Sequence, residues 1–542
     1  MKKLSTIIIA MALVLGMTQC KKKVETLTQS QGTFITVNVA NESKHNVITT
    51  GSGLGEVEWT NGDILYVISD GNFVGMVTYS SSSENFSGTI NSAAEEKPLW
   101  FCFTGGVEPD GHTMTIDISD QSNNLPVLSC GASDQNYPTA SNVYTAFLEN
   151  KCALVKFTLS TGTEDIVRIS NMYTQARMKI TASGIDIEPL NETHSMLLNK
   201  PSTSEATERW AIILPQNEQI TTSALLRNTA YKNCVIIPST ANNSLVNATI
   251  DLAHATTEPV KPYFSVSGGR IVHFAPGNLQ YQASTTTWQF AKHEWDFVGG
   301  TDANNYSWGN VSGSTNNSIG DSEYTGWIDL FGWGTGDAPT KVVKDPTEYY
   351  TFNDWGNYIE TNNHWFTLSR NECRYLINET SNTMRTGKIA PAIVNGVGGF
   401  VMLPDYFTMP SGCSFNTVAD QLSHMEDCSQ NVYTDAAWTA MSAAGAVFFP
   451  GCGVRCRDNT PETEAFNSYL NASISSNPTI EIYACYWTKD DKGDTSNAGM
   501  ALVNDPQTDN STPPTVVSSI LRTNDYMRYS GAAVRLAKEV VY

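Results

Sequence analysis

The chain has 542 residues, a formal net charge of −21 at pH 7 and an isoelectric point of about 4.8. An acidic chain repels phosphate backbones, which excludes nucleic acid as an expected partner. Hydrophobic residues make up 40% of the chain and charged residues only 16%. This composition favours a polar, β-rich, exported protein, and the length suffices for about three or four domains.

The first twenty residues indicate export. Two lysines precede an apolar run, Leu4 to Leu15, which is too short to span a bilayer. The run ends in small and polar residues before Cys20, and this layout resembles a bacterial lipobox, whose cysteine carries the lipid. We therefore predict a lipoprotein signal peptide over 1–19, lipidation of Cys20 and a flexible tether over 20–31. An ordinary cleaved signal beside a free cysteine is the alternative.

Short segments with alternating apolar residues follow, and they predict β-strands rather than helices up to about residue 250. Gly55 to Ile68, for example, has alternating segments around a Thr-Asn-Gly-Asp turn and predicts a hairpin. We expect one β-sandwich over 32–142 and a second over 143–252. Prolines in the polar stretch 253–262 predict an extended linker.

The remaining residues, 263–542, are predicted to form one α+β domain, called the head below. Nine of the twelve tryptophans lie in this region. Ser369 with Glu372 forms a capping box before an apolar face, and Thr434 begins a run of helix formers that stops at Gly445. Two helices among many irregular strands indicate an α+β arrangement.

The first region resembles the fimbrillin family of Bacteroidia, the subunits of type V pili and their accessory lipoproteins. The resemblance lies in Val57-Glu-Trp-Thr-Asn-Gly-Asp63, Phe86-Ser-Gly88 and Ala146-Phe-Leu-Glu-Asn-Lys-Cys-Ala-Leu-Val-Lys-Phe-Thr-Leu159. It implies two tandem transthyretin-like β-sandwiches and partner fimbrial subunits bound by donor-strand β-augmentation. Stalk fimbrillins lose their first strand by cleavage after an arginine, but the first arginine here is Arg168. We therefore expect an accessory or tip subunit.

The head resembles a C-terminal module of Bacteroidetes surface lipoproteins, related to the major paralogous domain family. Its motifs include Val272-His-Phe-Ala-Pro-Gly-Asn-Leu-Gln-Tyr-Gln282, Tyr324-Thr-Gly-Trp-Ile-Asp-Leu-Phe-Gly-Trp-Gly-Thr335 and Asn395-Gly-Val-Gly-Gly-Phe-Val-Met-Leu-Pro-Asp405. The resemblance implies a C-type-lectin-like fold. Formylglycine-generating enzymes share that scaffold, but Ala533-Val-Arg-Leu536 lacks their cysteine.

Two polar segments of the head have sugar-binding chemistry, because aromatic rings stack on pyranose faces while amides and carboxylates bind hydroxyls. The candidate ligand contacts are Trp308, Asn310, Asn353, Asp354 and Trp355. The alternative is that the tryptophans fill the core of an irregular domain.

No metal or organic cofactor is expected. Calcium is the one cation considered, for an acidic cluster of Asp490, Asp491 and Asp494. Catalytic motifs such as His-Glu-x-x-His, a P-loop or Gly-x-Ser-x-Gly are lacking, so the chain is predicted not to be an enzyme.

Besides Cys20 the chain has ten cysteines, an even number that permits disulfides in an exported protein. Cys413 with Cys428 and Cys452 with Cys456 are local candidates. The other interpretation is buried thiols, which suits Cys152 in its apolar run.

Together these features predict a lipid-anchored outer-membrane or pilus protein at the cell surface, whose head binds a glycan or a host or microbial protein. One alternative is a structural pilus anchor or stem without ligand binding. Another is a glycan-capture lipoprotein of a polysaccharide-uptake system.

Overall fold

A computed structural model describes residues 32–40, 46–49, 53–56, 59–104, 113–122, 125, 128–182, 184–190, 193–200, 205–242, 244–301, 307–341, 351–379, 383–417, 428–457, 466–469, 484–492, 498–508, 516–528 and 530–542. The described chain is mostly β, with two α-helices, as the sequence predicts. No helix within these ranges is long and apolar enough to cross a membrane. The predicted signal peptide, Cys20 and the tether lie outside the described residues.

The first β unit is one sheet that curls until its ends meet. Its strand order is β10-β1-β6-β5-β4-β7-β9-β11, and β10 also pairs with β9. Buried alternate side chains from these strands form its core. The strands of this part of the chain are β1 Thr33–Val39, β2 Asn46–Thr49, β3 Gly53–Glu56, β4 Ile64–Ser69, β5 Asn72–Ser80, β6 Asn85–Ile90, β7 Lys97–Phe103, β8 Thr113–Asp117, β9 Ser129–Tyr137, β10 Val143–Ala146 and β11 Glu149–Asn150.

The second β unit has sheet order β16-β13-β18-β19-β20-β12-β17. Reciprocal backbone hydrogen bonds between Asn199, just after β16, and Trp210 of β17 bring its two edges together. A smaller sheet, β15-β14-β8, takes one strand from the preceding part of the chain. The strands are β12 Ala153–Leu159, β13 Val167–Met172, β14 Gln175–Thr181, β15 Gly184–Pro189, β16 His194–Leu197, β17 Glu208–Ile213, β18 Ile220–Leu226, β19 Thr229–Ile237, β20 Leu245–Ile250 and β21 Thr256–Pro259.

The predicted linker is extended but does not lie apart from the second sheet. Its strand β21 pairs with β19 from Thr229 to Lys232. Likewise β10, placed by the sequence at the start of the second sandwich, pairs with β1 of the first sheet. The domain limits themselves stay predictions.

The head packs small sheets and two helices around two apolar cores. The predicted capping box is confirmed: the Ser369 hydroxyl accepts from Glu372 N, and Glu372 accepts from Ser369 N at 2.7 Å. The second helix is also confirmed, with Thr434 as its N-cap and Gly445 at φ +100° after its end. The elements are β22 Phe264–Ser265, β23 Ile271–Phe274, β24 Leu279–Gln282, β25 Thr287–Phe290, β26 Gly300–Thr301, β27 Ser307–Trp308, α1 Arg370–Leu376, β28 Ile389–Val394, β29 Val397–Met402, β30 Val432–Tyr433, α2 Asp435–Ala443, β31 Val447–Pro450, β32 Val454–Arg457, β33 Phe466–Tyr469, β34 Ala484–Asp491, β35 Ala498–Thr508, β36 Val516–Met527 and β37 Ala537–Glu539.

A buried contact, called the seam below, joins the second β unit to the head. Its apolar part is a cluster of side chains from both sides: Leu225, Ala230, Tyr263, Ile271, Val540 and Tyr542. Its polar part centres on Arg168 of β13, which is only 2% exposed. Arg168 donates to the Gly268 carbonyl and to the Ser265 hydroxyl, each at 2.6 Å.

The seam continues into a buried ion pair within the head. The Ser265 hydroxyl donates to Asp405, which also accepts from Arg385 at 3.1 Å. The side chains of both Asp405 and Arg385 are fully buried. Buried charges are tolerated when they are paired and hydrogen-bonded, and Asp405 has both an ion-pair partner and hydrogen-bond donors here.

Candidate ligand-binding pocket

The predicted ligand contacts fall into two separate places in the head. Trp308 lies half-buried in β27 and packs against one apolar core, whereas Trp355 belongs to the other. The Asn310 amide is engaged internally: its oxygen accepts from Phe297 N at 2.9 Å and its nitrogen donates to the Trp295 carbonyl at 3.0 Å. Trp308 and Trp355 therefore do not lie together on one surface of the head.

The second predicted segment, Asn353 to Trp355, also makes its contacts within the protein. Trp355 is 0% exposed and packs edge-on against Phe352, so it presents no face to a ligand here. Asp354 caps the turn at Gly356 and accepts two hydrogen bonds from Thr367, at 2.8 and 2.9 Å. Asn353 pairs through its backbone with residues 334 and 336. Ligand binding by these residues stays a prediction that the structure gives no geometry to support.

Within the described residues no group of three or more His, Cys, Asp or Glu side chains is arranged to hold a metal ion. Asp490 accepts a hydrogen bond from Arg370 N, and Asp491 pairs with Arg528 at 3.1 Å. Asp494 lies outside the described residues. Asp490 and Asp491, the two described candidates, therefore serve contacts within the protein.

A different pocket, of about 570 Å³ and called the head pocket below, has ligand-binding character. This volume lies within the ordinary range of small-ligand sites. It brings together β23, the end of β37, the loop before α1 and the turn after α2. The side chains that matter below are Lys261, His273, Phe274, Asn363, Trp365 and Lys538.

The head pocket has an aromatic wall with a fixed orientation. The half-buried Trp365 ring meets Phe290 edge-on at 5.2 Å, and its indole N–H donates to Glu360 at 2.9 Å. Phe274, the second ring, meets Phe264 and Phe449 edge-on. These contacts hold both rings in place before any ligand arrives.

Basic side chains also line the head pocket. The Lys538 ammonium donates to the Asn363 amide oxygen at 3.0 Å. His273 Nε2 donates to the Lys261 carbonyl at 3.2 Å. Burial lowers the pKa of His273, as do the charges of Lys261 and Lys538, against the opposing effect of the hydrogen bond to the Lys261 carbonyl.

Glu294 is the acidic residue of the head pocket, and its carboxyl is almost wholly buried. It accepts from Trp438 Nε1 at 2.9 Å and from Phe448 N at 3.2 Å. Burial raises the pKa of Glu294 to about 7, against the opposing effects of Arg535 and these hydrogen bonds. Its carboxylate also lies 3.9 Å from Arg535 Nη1, so Glu294 is matched by a buried cation of the head rather than by the lysines.

A second pocket, of about 470 Å³, lies along the seam. Its main charges are matched internally: Arg270 contacts Glu372 and Glu539 at 3.1 and 3.0 Å, and His194 contacts Glu539 at 3.3 Å. Thr174 is buried there, and its hydroxyl has no hydrogen-bond partner among the described residues. The exposed Lys489 lies at its edge.

Sequence reasoning missed the head pocket because its parts are far apart in the chain. Trp365 follows two asparagines and a histidine, the same kind of polar setting that singled out Trp308. Lys261 and Lys538 meet there only because β23 pairs with β37, with His273 opposite Lys538.

Solved structures similar to this chain come from Bacteroides and Porphyromonas. A candidate cell adhesion protein of Bacteroides uniformis is 16% identical, with 42% of this chain and 98% of that chain covered and a TM-score of 0.28. A fimbrial protein of Bacteroides ovatus is 12% identical over 94% of this chain and 100% of that chain, with a TM-score of 0.23. The tip fimbrial protein of Porphyromonas gingivalis is 9% identical, with 36% of this chain and 76% of that chain covered and a TM-score of 0.22.

No protein-family model matches the chain, and no curated protein matches it either.

Proposed function

We propose that this chain is an exported surface lipoprotein, a fimbrial tip or accessory subunit, whose C-type-lectin-like head binds a glycan or protein ligand. In this proposal the two β units form a stem and the head carries adhesion. The protein acts by binding and has no catalytic role.

The observation that carries the proposal is the seam. An adhesin head that is packed on its stem can pass force to the stem directly. Here Arg168 is buried between the two and hydrogen-bonds across the contact, beside an apolar cluster that includes Tyr263 and Tyr542. A buried, hydrogen-bonded contact of this kind supports a head that moves as one body with the second β unit.

The first strand supports an accessory or tip role. β1 lies between β6 and β10, with Ile35 and Val37 fully buried. Removal of β1 would open the donor-strand groove expected of a stalk subunit. The first arginine of the sequence, Arg168, is buried in the seam rather than placed before the sheet. Retention of β1 is therefore part of the proposal.

The lipid anchor at Cys20 is the remaining part of the proposal, and it is tested separately. Mass spectrometry of the N-terminal peptide from the native host should find diacylated Cys20. An unmodified Cys20 would remove the anchor and leave the adhesive head untouched.

The adhesive function is tested with the intact chain, because the head buries part of its surface in the seam. The purified protein is applied to arrays of glycans and of host and microbial surface proteins. Selective binding supports an adhesin. Co-purification with stalk subunits, together with no binding to either array, would favour a structural anchor instead.

A further inference from the structure

We propose that the head pocket binds an acidic saccharide, with the sugar ring against Trp365 and its carboxylate between Lys261 and Lys538. This deepens the proposed function and rests on it, because it names the ligand class of the adhesive head.

The first step is charge. The chain as a whole is strongly acidic, yet this pocket gathers two lysines. Lys538 donates to the neutral Asn363 amide at 3.0 Å, and no ion pair of Lys261 or Lys538 is found among the described residues. Opposite charges attract strongly in a partly enclosed site, so an anionic ligand would supply the missing partner.

The second step is the aromatic wall. A bare inorganic anion gains nothing from an indole ring, whereas the apolar face of a pyranose packs against one. The Trp365 ring is held in place by Glu360 and Phe290, so ordering it on binding costs little. The ring and the lysines line the same pocket, which favours a molecule with both an apolar face and a carboxylate.

The third step is the polar lining. The Asn363 amide oxygen accepts from Lys538, and its amide nitrogen donates to Glu360 at 2.8 Å. An amide N–H₂ has two donors, so the second N–H can bind a sugar hydroxyl beside the carboxylate. The seam pocket lacks this combination, because its arginine and histidine are already paired with carboxylates.

The test uses a matched pair of ligands with the intact chain. Digalacturonate and galactobiose have the same ring stereochemistry and differ at the carboxylate. Calorimetric titration should find binding of digalacturonate that is at least about tenfold tighter than that of galactobiose, and that weakens with salt. 3′-Sialyllactose against lactose provides a second matched pair, and preference for the acid in either pair supports the proposal.

Variants locate the binding. Lys261→Gln and Lys538→Gln should each weaken binding of the acidic sugar about tenfold or more, and Trp365→Leu should weaken it as well. Lys489→Gln, at the edge of the seam pocket, removes the same charge elsewhere and should leave binding unchanged. Unchanged thermal unfolding of the lysine variants verifies that they remain folded.

Several results would overturn the inference. They are equal affinity for acid and neutral sugar, loss of binding in Lys489→Gln alone, or equal affinity for an oligoglutamate peptide. Failure to bind either acidic sugar, with selective binding elsewhere on the arrays, overturns this inference and leaves the adhesin proposal standing. No binding to anything by the folded chain contradicts both.

Discussion

Arg168 of the second β unit donates a hydrogen bond to the Ser265 hydroxyl of the head at 2.6 Å, and the Ser265 hydroxyl in turn donates a hydrogen bond to Asp405. Two parts of the chain that the sequence separates by a predicted linker are therefore joined by a buried polar network. The seam therefore gives the second β unit and the residues after 262 a shared buried contact.

Replacing Arg168 tests the seam. Arg168→Met keeps most of the side-chain volume but leaves the Gly268 carbonyl and the Ser265 hydroxyl without their donor. We expect the free energy of unfolding to fall by about 2–4 kcal/mol. Urea denaturation of the intact chain measures this, and Arg177→Met, at an exposed position of β14, should change it by no more than about 0.5 kcal/mol. Equal effects would show that Arg168 has no special role.

The first strand should be needed for the stability of the first β unit. Ile35 is fully buried, whereas its neighbour Phe34 is 61% exposed on the other face of β1. Ile35→Ala should cost about 2–5 kcal/mol, because it leaves a cavity in the core. Phe34→Ala removes a larger side chain and should cost about 0.5 kcal/mol or less. Thermal unfolding of both variants compares their stabilities. A larger loss of stability from Phe34→Ala than from Ile35→Ala would contradict the placement of β1.

Local patterns predicted several elements of this fold, but the predicted hairpin over Gly55 to Ile68 is wrong, because β3 pairs with β2 whereas β4 pairs with β5 and β7. The predicted capping box at Ser369 begins α1. The candidate site was harder to predict. Trp355 lies in a polar stretch without periodicity, yet the stretch folds over its own core and buries the ring completely. The head pocket depends on strand pairing between distant segments, which no local pattern records.

Cys102 and Cys130 face each other on β7 and β9, and their sulfurs are 2.7 Å apart. The disulfides predicted from the sequence have a different outcome. Cys413 is not joined to Cys428 in the structure, and the predicted Cys452–Cys456 pair is untested because the Cys456 side chain lies outside the described residues. We expect Cys102 and Cys130 to form a disulfide in an oxidising compartment, although burial raises the pKa of the Cys102 thiol and slows the reaction.

Peptide mapping of the exported protein under non-reducing conditions should find the Cys102–Cys130 linkage. In Cys102→Ser the Cys130 peptide should instead be alkylated after denaturation. Alkylation of both cysteines in the denatured, exported wild-type protein would show that the pair stays reduced.

Stability should fall as pH rises through the titration of Glu294. Its pKa is raised from 4.5 to about 7 in the folded chain, so between these values the native state holds a proton that the unfolded state has released. The stabilisation is complete below about pH 4.5 and is lost as pH approaches 7, at most about 3 kcal/mol. Glu294→Gln keeps an acceptor for Trp438 and Phe448 but cannot ionise.

Unfolding free energies at pH 5 and pH 8 test this. Glu294→Gln should gain stability relative to wild type as pH rises, whereas Glu95→Gln, at an exposed position in the first β unit, should follow wild type. The same pH dependence in all three proteins would contradict the buried, protonated state of Glu294.

The central claim is that the intact chain is an adhesin whose head binds a ligand. The most direct measurement is attachment of cells displaying the full chain to an array of glycans and surface proteins, compared with cells displaying Lys538→Gln at equal surface density. The account predicts selective attachment that the substitution weakens about tenfold. Equal attachment by displaying and non-displaying cells to every position of the array would contradict it.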